Sequence, residues 1–187
     1  MKLVILTEGA LAPTEALWQA AVEHLAQKLG RVTPLDAAAV PAERPQAIAY
    51  LDAWAGDEAS RWRLELRRFA DDHVPVYVRP DPDRNAAVRA LAARSVRVAC
   101  WSPGPAELAE PLLHHLGMAR RVDPLVCDAG PDALAQLLAG LDVAAGEAVL
   151  VGATMPHETD QAARCGLAVE PGERLVELAA AANPASA

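Results

Sequence analysis

Three segments constrain this chain most. Residues 3–11, 96–104 and 148–154 are apolar runs that end in small or turn-forming residues: Glu8-Gly9-Ala10, Ser102-Pro103-Gly104 and Gly152-Ala153-Thr154. None alternates polar with apolar, which predicts short strands covered on both faces, as in a parallel sheet. A buried strand running into a small-residue turn is how an α/β protein builds a ligand site at the carboxyl ends of its strands.

The rest of the chain supplies the helices that such a sheet needs. Thr14 is a predicted N-cap for a helix over Glu15–Leu29, with an acid in its first turn and Gly30 after its end. From there to about Asp83 the pattern is helical, with candidate helices over Arg44–Ala55 and Asp57–Asp72 separated by Gly56. Trp18, Tyr50, Trp54, Trp62 and Phe69 fall in this region, which predicts a small helical subdomain with a core of its own. After Pro80 and Pro82, helices near 83–94, 105–117, 131–140, 157–165 and 172–182 alternate with strands at 96–101, 124–127, 148–151 and 167–169. That alternation predicts right-handed crossovers and a doubly wound parallel sheet. The tail Asn183–Ala187 is expected to fray.

Composition narrows the function classes. At 187 residues the chain is long enough for a full core. Its formal net charge of −8 argues against nucleic-acid binding, which needs a basic surface. No run approaches the ~20 apolar residues of a membrane span, and no signal segment opens the chain, so a cytoplasmic protein without membrane contact is expected. Lysine occurs only at Lys2 and Lys28, against many arginines, a bias expected of a GC-rich bacterial genome. Cys100, Cys127 and Cys165 have neither metal spacing nor a disulfide pattern and are expected to act as small apolar side chains.

Taken in order, Glu8-Gly9-Ala10-Leu11, the helix starting Thr14-Glu15-Ala16-Leu17-Trp18, Ser102-Pro103-Gly104-Pro105, residues 113–123, residues 146–154 and residues 162–166 resemble the haloacid dehalogenase-type hydrolases with a helical cap, the phosphoglycolate-phosphatase-like class. The resemblance implies a Rossmann-like five-stranded parallel sheet of order 5-4-1-2-3. It also implies a core formed by residues 1–13 and 81–187 and a cap formed by residues 14–80. In that family an aspartate nucleophile, an acid/base carboxylate, a Ser or Thr on the phosphoryl oxygens, a Lys or Arg, and further acids that complete a Mg²⁺ shell do the chemistry.

Carried over position by position, most of that set is missing. The nucleophile position falls on Leu6, which has no lone pair to donate, and shifting it to Thr7 would require a one-residue deletion and an activating base. Glu8 takes the acid/base position and Ser102 the hydroxyl position. The motif lysine is absent, and its stretch is shortened to Ala129-Gly130-Pro131-Asp132. The first metal acid is Ala153, and the second is Glu158, or His157 if Met155 is not an insertion. Mg²⁺, expected for the family, would be left with too few oxygen ligands, so no cofactor is expected.

Two functions follow. One is a relative without hydrolase or phosphatase activity, acting as a binding or regulatory module. Its ligand-binding residues would be Thr7, Glu8, Gly9, Ser102, Thr154 and His157, and its partner a small anionic metabolite, a protein, or a second copy in a homodimer. The alternative is a hydrolase of altered chemistry acting on a small phosphorylated or other metabolite, with Glu8, Ser102 and Glu158 as its polar set. Among the remaining polar groups, His114 and His115 point apart on their helix. Glu107 and Glu110 are expected on a solvated face, Asp71-Asp72-His73 at a helix end, and Arg61, Arg63, Arg67 and Arg68 on a salt-bridged face.

Overall fold

The computed structural model describes residues 1–30, 34–127 and 130–182; the expected frayed tail lies outside them. Five parallel strands form one sheet of order β3-β2-β1-β4-β5. They are β1 (Leu3–Leu6), β2 (Arg97–Trp101), β3 (Leu125–Val126), β4 (Ala148–Val151) and β5 (Ala168–Glu170). This is the expected order read from the other edge. The central strand β1 pairs with β2 from Leu3↔Arg97 to Leu6↔Cys100 and with β4 from Leu3↔Ala148 to Leu6↔Val151. These registers bring the ends of all three strands to one level, and the turns that follow share a crevice.

Alternation along the strands sorts the core into two layers. Val4, Leu6, Val98, Cys100, Val149 and Val151 face a large apolar cluster. It is filled by α5 (Pro82–Ala93), α6 (Ala106–His115), α9 (Arg174–Ala181) and the cap helices. Leu3, Ile5, Ala99, Trp101 and Leu150 face the other layer, covered by α7 (Ala133–Gly140) and α8 (Pro156–Cys165).

The cap consists of α2 (Glu15–Leu29), α3 (Arg44–Ala55) and α4 (Ala59–Tyr77). Between β1 and α2, the small-residue turn expected after the strand is a single helical turn, α1, over Glu8–Leu11. The cap aromatics do not close a core of their own. Trp18, Trp62 and Phe69 belong to the same cluster as Leu6, Leu108 and Leu112. The helix expected to stop at Asp72 continues to Tyr77 through Pro75, because Val74 and Val78 are buried and hold the last turn in place. His73 therefore lies within α4 and stacks on Phe69 at 4.2 Å.

The arginine face of α4 is ion-paired as expected: Arg61 with Glu58, Arg67 with Asp71, and Arg68 with Glu65. Glu110 is exposed as expected and Glu107 half-buried, and both also reach across to the cap. Arg63 lies 3.6 Å from Glu107 and Arg67 lies 2.7 Å from Glu110. His115 meets the Val78 carbonyl at 2.9 Å, so the end of α6 is tied to the chain leaving the cap.

A shared core predicts one cooperative transition in urea by both tryptophan fluorescence and far-ultraviolet circular dichroism, and two separated transitions would contradict it. Trp62→Ala should cost about 3–5 kcal/mol and move both signals together. Within the cap, a hydrogen bond with His24 at 2.9 Å holds the Glu65 carboxyl below its usual range, against the opposing effect of burial. Such a group stabilises the fold above its unfolded pKa and loses that contribution as pH falls through its lowered folded value. Glu65→Gln should therefore flatten the acid limb of a stability–pH curve, and an unchanged limb would contradict the assignment.

Candidate functional site

The crevice is built from the turns after β1, β2 and β4. Gly152 adopts a φ of +84°, and a Cβ there would lie 2.3 Å from the Ala10 amide nitrogen. A Cβ on Gly9 would lie 2.7 Å from the Gly152 carbonyl oxygen, so the two turns pack backbone to backbone. The Thr7 hydroxyl closes the seam by donating to the Gly152 carbonyl at 2.6 Å.

Leu6 is fully buried in the apolar cluster beneath this seam. Ala153, on the other side, packs at the edge of the α7–α8 layer. Glu8 is the acid that the first turn presents, and its carboxylate is already engaged. The Ser102 hydroxyl donates to Glu8 Oε1, and the Thr14 hydroxyl donates to Oε2 at 3.1 Å. Ser102 in turn accepts from the Gly104 amide at 3.0 Å. Thr14 holds the N-cap position of α2 as expected, but its hydroxyl makes no cap bond and serves Glu8 instead.

The cation near Glu8 comes from the cap. Arg44 Nη2 lies 3.8 Å from Glu8 Oε2 and donates to the Thr14 hydroxyl at 3.4 Å. Its guanidinium sits over the Trp18 ring, 4.6 Å from the centroid. Burial pushes Arg44 below its ordinary pKa, while the charges of Glu8, Glu15 and Glu158 oppose that shift. Sequence reasoning missed Arg44. One weak local signal existed: a cation on the first residue of a helix opposes the helix dipole, so its placement needs another reason.

The remaining expected residues do not converge. Glu158 Oε2 accepts the Thr154 and Met155 amides at 2.8 and 3.0 Å, which caps α8. His157 points to the α7–α8 side, edge-on to Trp101 at 6.5 Å, with its Nδ1 3.9 Å from Glu43. Of the shortened lysine stretch, Ala129 lies outside the described residues and Asp132 precedes α7 as its N-cap. Among the described residues no group of three or more His, Cys, Asp or Glu is placed to hold a metal ion. The donor set does not fit Mg²⁺: Leu6 and Ala153 offer no carboxylate, Glu8 is turned to Ser102 and Thr14, and Glu158 is turned to the amides at the start of α8. On Cys100, burial pushes the thiol well above its ordinary value, and the charge of Glu8 adds to this.

A cleft of about 430 Å³ opens beside this network. Its charged lining is Glu8, Glu15 and Glu158 together with Arg44 and Arg84. Arg84 is held in place by the Ala10 carbonyl at 2.8 Å and by Asp81 at 3.4 Å.

The Glu8–Ser102 contact can be weighed by a double-mutant cycle. Ser102→Ala leaves a buried carboxylate short of a donor and should cost about 1–3 kcal/mol. Combining it with Glu8→Leu should cost clearly less than the two single changes summed, because both partners leave together. Strict additivity in urea melts would show that the two side chains do not interact.

No family model matches the sequence, and no curated protein matches it. Solved structures do. A variant of CbbY from Rhodobacter sphaeroides in complex with xylulose-1,5-bisphosphate aligns with a TM-score of 0.71 at 18% identity, over 91% of this chain and 85% of that one. A HAD-superfamily hydrolase from Geobacter sulfurreducens aligns at 0.60 and 13% identity over 96% of both chains. A haloacid dehalogenase-like hydrolase from Xanthomonas campestris aligns at 0.58 and 16% identity, over 90% of this chain and 81% of that one. At these identities the likeness establishes architecture: the chain has the haloacid dehalogenase-type fold with a helical cap.

Proposed function

We propose that this chain uses a phosphatase-type fold for binding or regulation and performs no family-type phosphoryl transfer. One observation carries the reading. The position where the fold would present its nucleophile holds Leu6, fully buried among apolar side chains, and the neighbouring carboxylate of Glu8 is bonded to Ser102 and Thr14. Without a nucleophile the barrier rises by an amount no binding contact restores, since each ~1.36 kcal/mol is a factor of ten in rate. Each oxygen of Glu8 also already accepts an internal hydrogen bond, from Ser102 and from Thr14, which weakens it as an acid or base toward a leaving group.

The other reading, a hydrolase of altered chemistry, needs Glu8, Ser102, Thr154 and His157 or Glu158 to face one reacting atom. Ser102 and Glu8 are directed at each other, Glu158 caps α8, and His157 faces Glu43 and Trp101, so the geometry favours binding. The ligand expectation also sharpens. In the cleft a dianionic phosphate would meet the carboxylates of Glu8, Glu15 and Glu158 against two guanidiniums that already have acidic partners. That balance favours a small ligand that is neutral or singly charged.

The reading is tested with Mg²⁺ and a generic aryl phosphate. The protein should release no inorganic phosphate above the uncatalysed rate, and Mg²⁺-dependent release would overturn the reading. Leu6→Asp with Ala153→Asp supplies the two missing carboxylates. Burying them without a metal is costly, so this variant should melt lower in chelator and recover as Mg²⁺ is added, while the unmodified chain shows no Mg²⁺ response. Equal melting curves with and without Mg²⁺ for the variant would show that the crevice backbone has diverged from the metal-binding arrangement.

A further inference from the structure

The cleft beside Glu8 carries both signs of charge, and the fold has matched its charged groups unequally. Glu8 accepts from Ser102 and Thr14, and Glu158 accepts from two backbone amides. Among the described residues Glu15 has no such donor. Its side chain is 75% exposed at the start of α2, and its ion-pair partner is Arg44 Nη1 at 3.9 Å. That separation is longer than a charged hydrogen bond.

The two cations are also incompletely matched. Arg44 stands in the cleft wall, 7% exposed, with no hydrogen-bond acceptor for Nε or Nη1. Its contacts with Glu8 and Glu15, at 3.8 and 3.9 Å, are long, so its charge is neither closely paired nor fully screened by water. Arg84 is the more exposed guanidinium, with a side chain 22% exposed. Its Nη1 donates to the Ala10 carbonyl and its Nε lies 3.4 Å from Asp81, which leaves Nη2 without a partner among the described residues.

Such a cleft selects by charge type. A lone anion meets three carboxylates, and a lone cation meets two guanidiniums. An uncharged ligand displaces water from both signs and pairs with neither. A small molecule with one carboxylate and one ammonium matches both. Ala12, Pro13, Ala42, Pro103 and Met155 complete the lining and suit a short hydrocarbon linker.

We propose that the cleft binds an amino-acid-like ampholyte, its carboxylate on Arg84 with Arg44 adding positive charge from the wall, and its ammonium on Glu15. The proposal rests on the binding reading above and deepens it by naming the ligand class. Glu8 and Ser102 keep each other, and the ligand lies beside that pair.

Isothermal titration calorimetry of the full chain tests this. The probes are 2-aminobutyrate and 4-aminobutyrate, which hold the two charges at short and long separation, and butyrate and butylamine, which carry one charge each. At least one aminobutyrate should bind about tenfold more tightly than either single-charge compound, the effect of one added charged hydrogen bond. Glu15→Gln, at an exposed position, should reduce that aminobutyrate to the affinity of butyrate. Arg84→Gln should weaken it by about the same factor, and Arg84→Lys, which keeps the charge, by less. Butyrate or butylamine binding as tightly as both aminobutyrates would overturn the ampholyte, as would an affinity that Glu15→Gln leaves unchanged. Failure of both aminobutyrates to bind at millimolar concentration would overturn it too. An aryl phosphate assay with Mg²⁺ keeps the two claims apart. Turnover there would overturn the binding reading whatever the calorimetry gives, whereas no turnover and no aminobutyrate binding would overturn the ampholyte alone.

Discussion

A carboxylate cannot be buried without donors, and in this structure the donors to Glu8 decide how the halves of the molecule meet. They come from separate places in the chain, Ser102 after β2 and Thr14 at the head of α2, and Arg44 at the head of α3 adds an ion pair at 3.8 Å. Together they draw the carboxyl end of the sheet, the first cap helix and the second cap helix to one point. The backbone seam between Gly9 and Gly152 fixes Glu8 in place, because neither position has room for a side chain.

The same network is what the proposed binding role rests on. A phosphoryl-transfer site keeps its carboxylates and hydroxyls directed at an incoming group and lets a metal balance the charge. Here the hydroxyl that would meet a phosphoryl oxygen meets Glu8, and the charge of Glu8 is balanced by a guanidinium of the chain itself. Leu6 adds to the apolar layer below.

Much of the fold was legible because it is written in local pattern. The continuous apolar run of β1 and its small-residue turn identify a central parallel strand, and the helices Glu15–Leu29 and Arg44–Ala55 have the expected bounds. What local pattern could not carry was long-range. Pro75 and the polar Asp71-Asp72-His73 run read as a helix end, yet burial of Val74 and Val78 keeps α4 going. The cap aromatics read as a separate core, while their neighbours Leu108 and Leu112 lie far along the chain. In the site, Leu6, Glu8, Ser102 and Ala153 could be found as strand ends. Thr14 and Arg44 could not, since their roles depend on a carboxylate brought to them by the tertiary fold. Glu158 and His157 were found as positions but not as partners: one caps a helix and the other faces a cap residue.

The central claim is that Glu8 and Ser102 satisfy each other and leave no place for a metal-bound phosphoryl group. A crystal structure determined with millimolar Mg²⁺ and inorganic phosphate tests it most directly. The account predicts the Ser102 hydroxyl still on Glu8, Arg44 still beside it, and neither a six-coordinate Mg²⁺ nor a phosphate between the turns after β1 and β4. A Mg²⁺ ion ligated by Glu8, with phosphate accepting from Ser102, would contradict it.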